Sequence, residues 1–339
     1  MKILFYSVKD FERQYLEAFN NKTHTIQFNE KALGVATAGD AHGFDAISVF
    51  TNDDVSAPVI DRLHNAGVRF IAVRATGYDN VNIPRARELG IAVANVPEYS
   101  PHAIAEHAIA LMLALNRKLV LANKQVHEHN FTLSKLIGFD MHGKTIGIVG
   151  TGRIGSTLAK MLHGFGCRVL AYDILENREL AVNYGVEYVP LPILCRESNI
   201  ISIHTPLTPQ TKYLLNKQLI ETMQRGVMII NTSRGACINT EDVLHFLENG
   251  HIGYFGADVY EKEKGLFFYD WSGKTMNDPL LKRLLALPNV LITPHQAFAT
   301  TDALNNIAET TFQNIFRWQN NLDSQNEITE YLVQSEVGT

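Results

Sequence analysis

The chain has 339 residues, too many for one core at roughly 150 residues per domain, so two domains with a cleft between them are expected. An apolar fraction of 46%, a charged fraction of 19% and a formal net charge of −5 describe a globular protein without the basic field that a nucleic-acid partner needs. Cys167, Cys195 and Cys237 are too few and too scattered for a disulfide framework or a cysteine zinc site, and they read as reduced, buried thiols.

The opening MKILFYSVKD carries an apolar run too short for a signal peptide and reads as a first strand, which favours a cytoplasmic location. The runs ILFY, AISVF, FIAVR and IAVANV then alternate with stretches of helical spacing, the pattern of an α/β unit. At Ser100-Pro101 a capping residue and a first-turn proline open a long Ala/Leu-rich helix, and a domain crossing is expected there. Segment 103–121 is interrupted by Glu106, His107, Asn116, Arg117 and Lys118, so it falls short of the roughly 20 apolar residues of a membrane span.

From Thr145 stronger apolar runs follow: TIGIVG, RVLAYD, IISIHTP, VMIINTSRG, GYFGADVY and NVLITPH. Continuous apolar runs of this length suit strands covered by helices on both faces, which predicts a doubly wound parallel sheet. The chain ends, from about Phe298, in the helical pattern ALNNIAETTFQNIFRWQNNL.

Gly150-Thr151-Gly152-Arg153-Ile154-Gly155 fits G-x-G-x-x-G, and its surroundings give the match its weight. It follows an apolar strand, opens a helix, and is followed by a second strand that ends in Asp173, near the expected acidic position about 20 residues on. The glycines allow a tight turn, bare backbone against a pyrophosphate and close helix-on-strand packing, with helix N–H groups and Arg153 beside the phosphates. Asp173 can accept the ribose hydroxyls and would repel a 2′-phosphate, so the cofactor is read as NAD rather than NADP.

Ligands of an open α/β sheet bind beyond the carboxyl ends of its strands, so the polar residues ending each run are the candidates. They are His204, Thr205 and Pro206; Asn231, Thr232, Ser233, Arg234 and Gly235; Asp258; and Pro294 and His295, with Glu261 and Glu263 on the loop after Asp258. An arginine can hold a carboxylate through two parallel hydrogen bonds, and a histidine can pass a proton to a developing alkoxide. A glutamate on the other ring nitrogen would orient that histidine and favour its protonated form. Together Arg234, His295 and Glu263, with Glu261 as competitor, fit hydride transfer to a 2-keto acid. Singly, each reads as an ordinary turn, surface or loop residue. His102, His107, His127, His129 and His142 lack metal-ligand spacing and receive no role; no metal is expected.

The segments VRATGYDNVNI, NVPEYSPHAIAEHAIALML, GKTIGIVGTGRIG, NTSRGACIN, GADVYEKEKGLFFYDWSG and NVLITPHQAF resemble the D-isomer-specific 2-hydroxy acid dehydrogenases over essentially the whole chain. The Phe-Phe-x-Asp stretch at 267–270 and the His-Gln-Ala-Phe sequence resemble the fermentative, D-lactate-forming branch.

The resemblance implies that Arg234, Glu263 and His295 are the catalytic positions, which selects Glu263 over Glu261. It also implies that amides near Thr76, Gly77 and Tyr78 help hold the substrate carboxylate, with Arg74 and Tyr99 close by and Phe298 lining the pocket. Asn82 stands where relatives often have Asp, and Thr76 where some have Ala. The implied architecture is a Rossmann-type cofactor domain, 100–297, inserted into a flavodoxin-like substrate domain made of 1–99 and 298–339. The implied assembly is a homodimer or a higher homo-oligomer, built partly by the long helix. Glyoxylate, hydroxypyruvate or a bulkier acid such as phenylpyruvate are alternative substrates. Formate dehydrogenases, which carry an amide at the Glu263 position, phosphoglycerate dehydrogenases with an extra domain, and NADH-sensing corepressors are the competing relatives.

Overall fold

The structure, a computed structural model, describes residues 1–20 and 22–328; the end of the last expected segment, 329–339, lies outside the described residues. Contacts divide the chain into two units, one formed by Met1–Ser100 with the chain from Ala299 onward, the other by Pro101–Phe298. The sequence reading put each crossing one residue earlier, and Phe298 belongs to the second unit.

The first unit is a parallel sheet of β1 (Lys2–Phe5), β2 (Thr25–Phe28), β3 (Ala46–Val49), β4 (Phe70–Val73) and β5 (Ala92–Ala94), in the order β2-β1-β3-β4-β5. That is the flavodoxin-like order. Side chains alternate across a strand, so Leu4, Ile47, Val49, Ile71 and Val73 enter one core while Ile3, Phe5, Ala46 and Ala72 enter another. The second core is covered by the helix Thr301–Gln319, through Ala308, Phe312, Ile315 and Trp318. The last described helix therefore packs on the sheet that the first strand begins.

The second unit is a seven-stranded parallel sheet of β6 (Thr145–Val149), β7 (Arg168–Tyr172), β8 (Glu187–Tyr188), β9 (Ile200–Ile203), β10 (Val227–Asn231), β11 (Ile252–Ala257) and β12 (Val290–Ile292). Its order, β12-β11-β10-β9-β6-β7-β8, reverses between β6 and β9, which is the switch point of a Rossmann sheet. Val149, Ile201, Ile203, Val227 and Ile229 build one core, and Ile146, Ile148, Ile200, Met228 and Ile230 the other. Each such side chain contributes about 1.5–3 kcal/mol on burial, so the uninterrupted apolar runs follow from two covered faces.

The helix Pro101–Asn116 packs Ala105, Ala108, Leu111, Met112 and Leu115 into the second of these cores. It lies close over β11 because Gly256 has no side chain; a Cβ there would meet Leu115 Cδ1 at 3.0 Å and Leu111 Cβ at 3.3 Å. No helix among the described residues is long and apolar enough to cross a membrane.

Candidate active site

Every residue singled out from a strand end in the second unit lies at the carboxyl edge of its sheet. β6 runs into Gly150 at φ 94°, a left-handed conformation that suits glycine, and the helix Arg153–Gly164 follows with Gly152 as its N-cap. A Cβ on Gly155 would lie 1.9 Å from Gly150 O, so this glycine is required by helix-on-strand packing. At Gly152 the demand is different: φ is −61° and a Cβ would meet nothing within 4 Å. Neither backbone nor packing asks for glycine there. A side chain would instead fill the space before the helix N-terminus, where a pyrophosphate would lie against Arg153, Ile154 and bare backbone.

Asp173, just beyond β7, accepts hydrogen bonds from Thr151 N and, at 3.1 Å, from Thr151 Oγ1, while Tyr188 donates to the same hydroxyl at 2.9 Å. The acidic residue thus also shapes the glycine loop. At the end of β9, His204 pairs its Nε2 with Ser202 Oγ at 2.8 Å, and burial pushes its pKa down to about 4, so the ring is neutral at pH 7. His204 Nδ1 and Thr232 Oγ1 are buried without a hydrogen-bond partner among the described residues. Buried polar atoms of that kind suit a polar ligand laid across the ends of β9 and β10. The residues present fit a dinucleotide.

Arg234 is positioned by Asn231, the last residue of β10. The Asn231 Oδ1 accepts from Ser233 N at 3.0 Å and Ser233 Oγ at 2.9 Å, and its Nδ2 donates to Arg234 O at 2.9 Å. This side-chain turn fixes the backbone on both sides of the arginine. Gly235 lets the same loop press on its neighbour: a Cβ there would lie 2.2 Å from the Tyr260 carbonyl carbon and 2.3 Å from Glu261 N.

His295 Nδ1 lies 2.8 Å from Glu263 Oε1, and Glu263 Oε2 accepts from Tyr260 N at 3.0 Å. Glu261 is committed elsewhere, accepting from the Tyr213 hydroxyl and, at 2.9 Å, from Thr240 Oγ1. Of the two glutamates, the structure brings Glu263 to the imidazole. The paired side chains are only 15% and 16% exposed, so their attraction is weakly screened. His295 is held at φ 56°, unusual for a residue with a Cβ, by its N–H bonds to Asp258 O at 2.7 Å and Thr293 O at 3.0 Å. Its ring lies beside Phe268 and Phe298, with centroids 5.8 and 6.5 Å away. Asp258 is almost fully buried, and its carboxylate works inside the protein, accepting from Thr293 Oγ1, Gln296 N and Ala297 N at 2.6–2.8 Å.

In the first unit, Thr76, Gly77 and Tyr78 form the loop after β4, braced by Thr76 Oγ1 donating to Val96 O at 2.9 Å and by Asn95 Nδ2 donating to Thr76 O at 2.8 Å. Tyr99 O accepts from Asn306 Nδ2 at 2.6 Å. Arg74 is 0% exposed and pairs with Glu12 at 3.0 Å, while also donating to Ser48 Oγ and Tyr6 O. Its charge is thus paired inside the core, directly after β4, rather than open to solvent. Asn82 caps the helix Ile83–Glu88, accepting from Arg85 N at 3.0 Å, a task that Asp performs equally well.

The strand-end list held Asn231 and Gly235 without a task for either, Phe268 stood only in the Phe-Phe-x-Asp stretch, and Thr293 was missed. The Asn-x-Ser-Arg-Gly spacing carried a signal for the first two, a side-chain turn followed by a close-contact glycine. Phe268 and Thr293 join the site only through tertiary packing.

Residues 109–297 match the family described as D-isomer specific 2-hydroxyacid dehydrogenase, NAD binding domain. The chain is 44% identical to the D-lactate dehydrogenase of Escherichia coli strain K12, over 97% of this chain and 100% of that one. The solved pyruvate reductase of Chlamydomonas reinhardtii is 42% identical with a TM-score of 0.89, covering 96% of this chain and 98% of that one. The D-lactate dehydrogenase of Aquifex aeolicus, solved with NAD and lactic acid, is 30% identical with a TM-score of 0.84, covering 94% and 96%. With the glycine loop, the strand-end histidine and its glutamate partner in the same sheet, this chain belongs to the D-isomer specific 2-hydroxyacid dehydrogenases and binds NAD.

Proposed function

We propose that this chain reduces pyruvate to D-lactate, reversibly, with His295 as the proton donor and Arg234 as the carboxylate clamp. The observation that carries the reading is the His295–Glu263 pair, 2.8 Å apart at the strand ends of the NAD-binding unit. With Nδ1 hydrogen-bonded to the carboxylate, Nε2 is the nitrogen that serves a reacting oxygen. Glu263 orients the ring, and the flanking Phe268 and Phe298 keep water from it. The Arg234 guanidinium would hold the keto acid through two parallel hydrogen bonds and polarise its carbonyl. NAD, when bound, supplies or accepts the hydride. Gly150, Gly152, Arg153, Ile154 and Gly155 would hold its pyrophosphate, Asp173 its adenosine ribose, and His204, Thr205, Pro206, Thr232 and Ser233 the span towards the nicotinamide. The names of the two lactate enzymes and the pyruvate reductase support pyruvate as substrate, and dependence on the cell's NADH pool supports a cytoplasmic site of action.

The test is NADH oxidation over pyruvate, glyoxylate, hydroxypyruvate, phenylpyruvate and oxaloacetate, with chiral analysis of the product. Pyruvate is expected to give the highest kcat/KM and D-lactate the product; preference for another acid, or L-lactate, would refute the assignment. Arg234→Lys is expected to lower kcat/KM for pyruvate by about a hundredfold, since a point charge cannot replace a planar fork.

The assembly proposed is a homodimer. Its support is an apolar stretch on the second unit, where Leu119, Val120, Val126, Phe131, Leu133 and Ile137 are 50–75% exposed. Sedimentation equilibrium is expected to give twice the chain mass, and Phe131→Glu with Leu133→Glu is expected to give monomers; a monomeric wild type would refute the dimer.

A further inference from the structure

Asp258 and Gly256 are two residues apart on and just beyond β11, so they share a face, and it is the face on which the helix Pro101–Asn116 lies. One helical turn before Leu111, which packs on Gly256, stands His107. Its Nε2 is 3.0 Å from Thr293 Oγ1, and that hydroxyl lies 2.6 Å from Asp258 Oδ1; the direct separation of Nε2 from Asp258 Oδ1 is 3.5 Å. A threonine hydroxyl has one proton, and here the carboxylate takes it. The Thr293 oxygen therefore accepts from His107, which fixes the proton of His107 on Nε2.

The relay ends on the backbone that carries the proton donor. Asp258 accepts from Gln296 N and Ala297 N, both at 2.8 Å, and its own carbonyl accepts from His295 N at 2.7 Å. Residues on both sides of His295 are thus tied to Asp258, which balances the left-handed backbone at φ 56°. On the first helix of the unit, His107 holds the far end of this chain of bonds.

We propose that His107 is a positioning residue for His295: through Thr293 and Asp258 its Nε2–H sets the loop that presents the imidazole to substrate. The proposal rests on the reading of His295 as proton donor for its kinetic consequence, and on the hydrogen bonds alone for its structural one. It gives a task to a histidine that its spacing left without one.

The test uses full-length His107→Leu, His107→Gln and Thr293→Val and the double variant H107L/T293V. The Leu variant is expected to lower kcat for pyruvate about 10- to 100-fold, the cost of a small misplacement, with NADH affinity within about twofold. The Gln variant, which keeps an N–H donor, is expected to recover kcat to within about threefold of wild type. The double variant is expected to be no worse than H107L, because both substitutions cut one relay. Independently of turnover, backbone amides in 293–298 should exchange hydrogen at least about tenfold faster in H107L, and near the wild-type rate in H107Q. Unchanged kcat and exchange in H107L, equal impairment of H107Q and H107L, or additive losses in the double variant would overturn the proposal. If H107L fails to fold, H107Q against T293V carries the same comparison. A wild type inactive on every keto acid would refute the catalytic reading, while the exchange measurement still decides the relay.

Discussion

At the scale of single residues, two glycines of one motif stand for different physical demands, and substitution separates them. In Gly155→Ala the new methyl would lie 1.9 Å from Gly150 O, so helix and strand must part. Overpacking of this kind costs about 1–3 kcal/mol or more, and the second unit is expected to unfold at lower urea with NADH binding impaired as a consequence. In Gly152→Ala the methyl would meet no protein atom within 4 Å. That variant is expected to keep wild-type stability in the absence of NADH yet bind it about 10- to 100-fold more weakly, because the methyl takes space a pyrophosphate needs. Urea unfolding without ligand and fluorescence titration with NADH distinguish the two. Equal destabilisation, or wild-type affinity in Gly152→Ala, would contradict the fit of this loop to a dinucleotide. The same scale shows where sequence reasoning fails: Arg74 and Arg234 both follow apolar strands, and nothing local tells that one meets Glu12 in the core while the other sits on a turn shaped by Asn231.

At the scale of elements, what could be read was whatever alternates or repeats along the chain. The runs TIGIV, IISI and VMIIN appear as strands β6, β9 and β10, covered on both faces, as suits short, nearly continuous apolar runs bounded by turn residues. The helix opened by Pro101 is visible for the same reason, its Ala and Leu residues serving a packed face. What could not be read is which elements touch. The 2.8 Å pairing of Glu263 with His295 joins residues 32 apart in the chain, and the helix carrying His107 meets Thr293 across 186 residues. The sequence points to Glu263 with Glu261 as competitor; the hydrogen bonds from Tyr213 and Thr240 that hold Glu261 away come from other elements. Strand ends gave the list of candidates, and tertiary packing decides their pairing.

At the scale of the whole molecule, the chain builds its first unit from both ends, and this arrangement has a measurable consequence. Phe312, on the helix Thr301–Gln319, lies against Phe5 of the first strand with ring centroids 5.8 Å apart, inside a core whose described residues all belong to the first unit. Removing a buried phenylalanine side chain costs about 3–5 kcal/mol, and here the loss falls on one unit only. The two tryptophans are divided in the same way: Trp318, 4% exposed and stacked on Phe70 at 5.0 Å, reports the first unit, and Trp271 belongs to the second. In a Trp271→Phe background, Phe312→Ala is therefore expected to move the Trp318 unfolding transition to lower urea by the equivalent of about 3–5 kcal/mol. NADH affinity, on the proposed placement of the cofactor at the loops after β6, β7, β9 and β10, should stay within about twofold, and added NADH should stabilise the second unit by mass action in variant and wild type alike. If NADH affinity instead fell in step with the Trp318 transition, the two cores would not be energetically separate. The cofactor site would then depend on the sheet that the chain ends close.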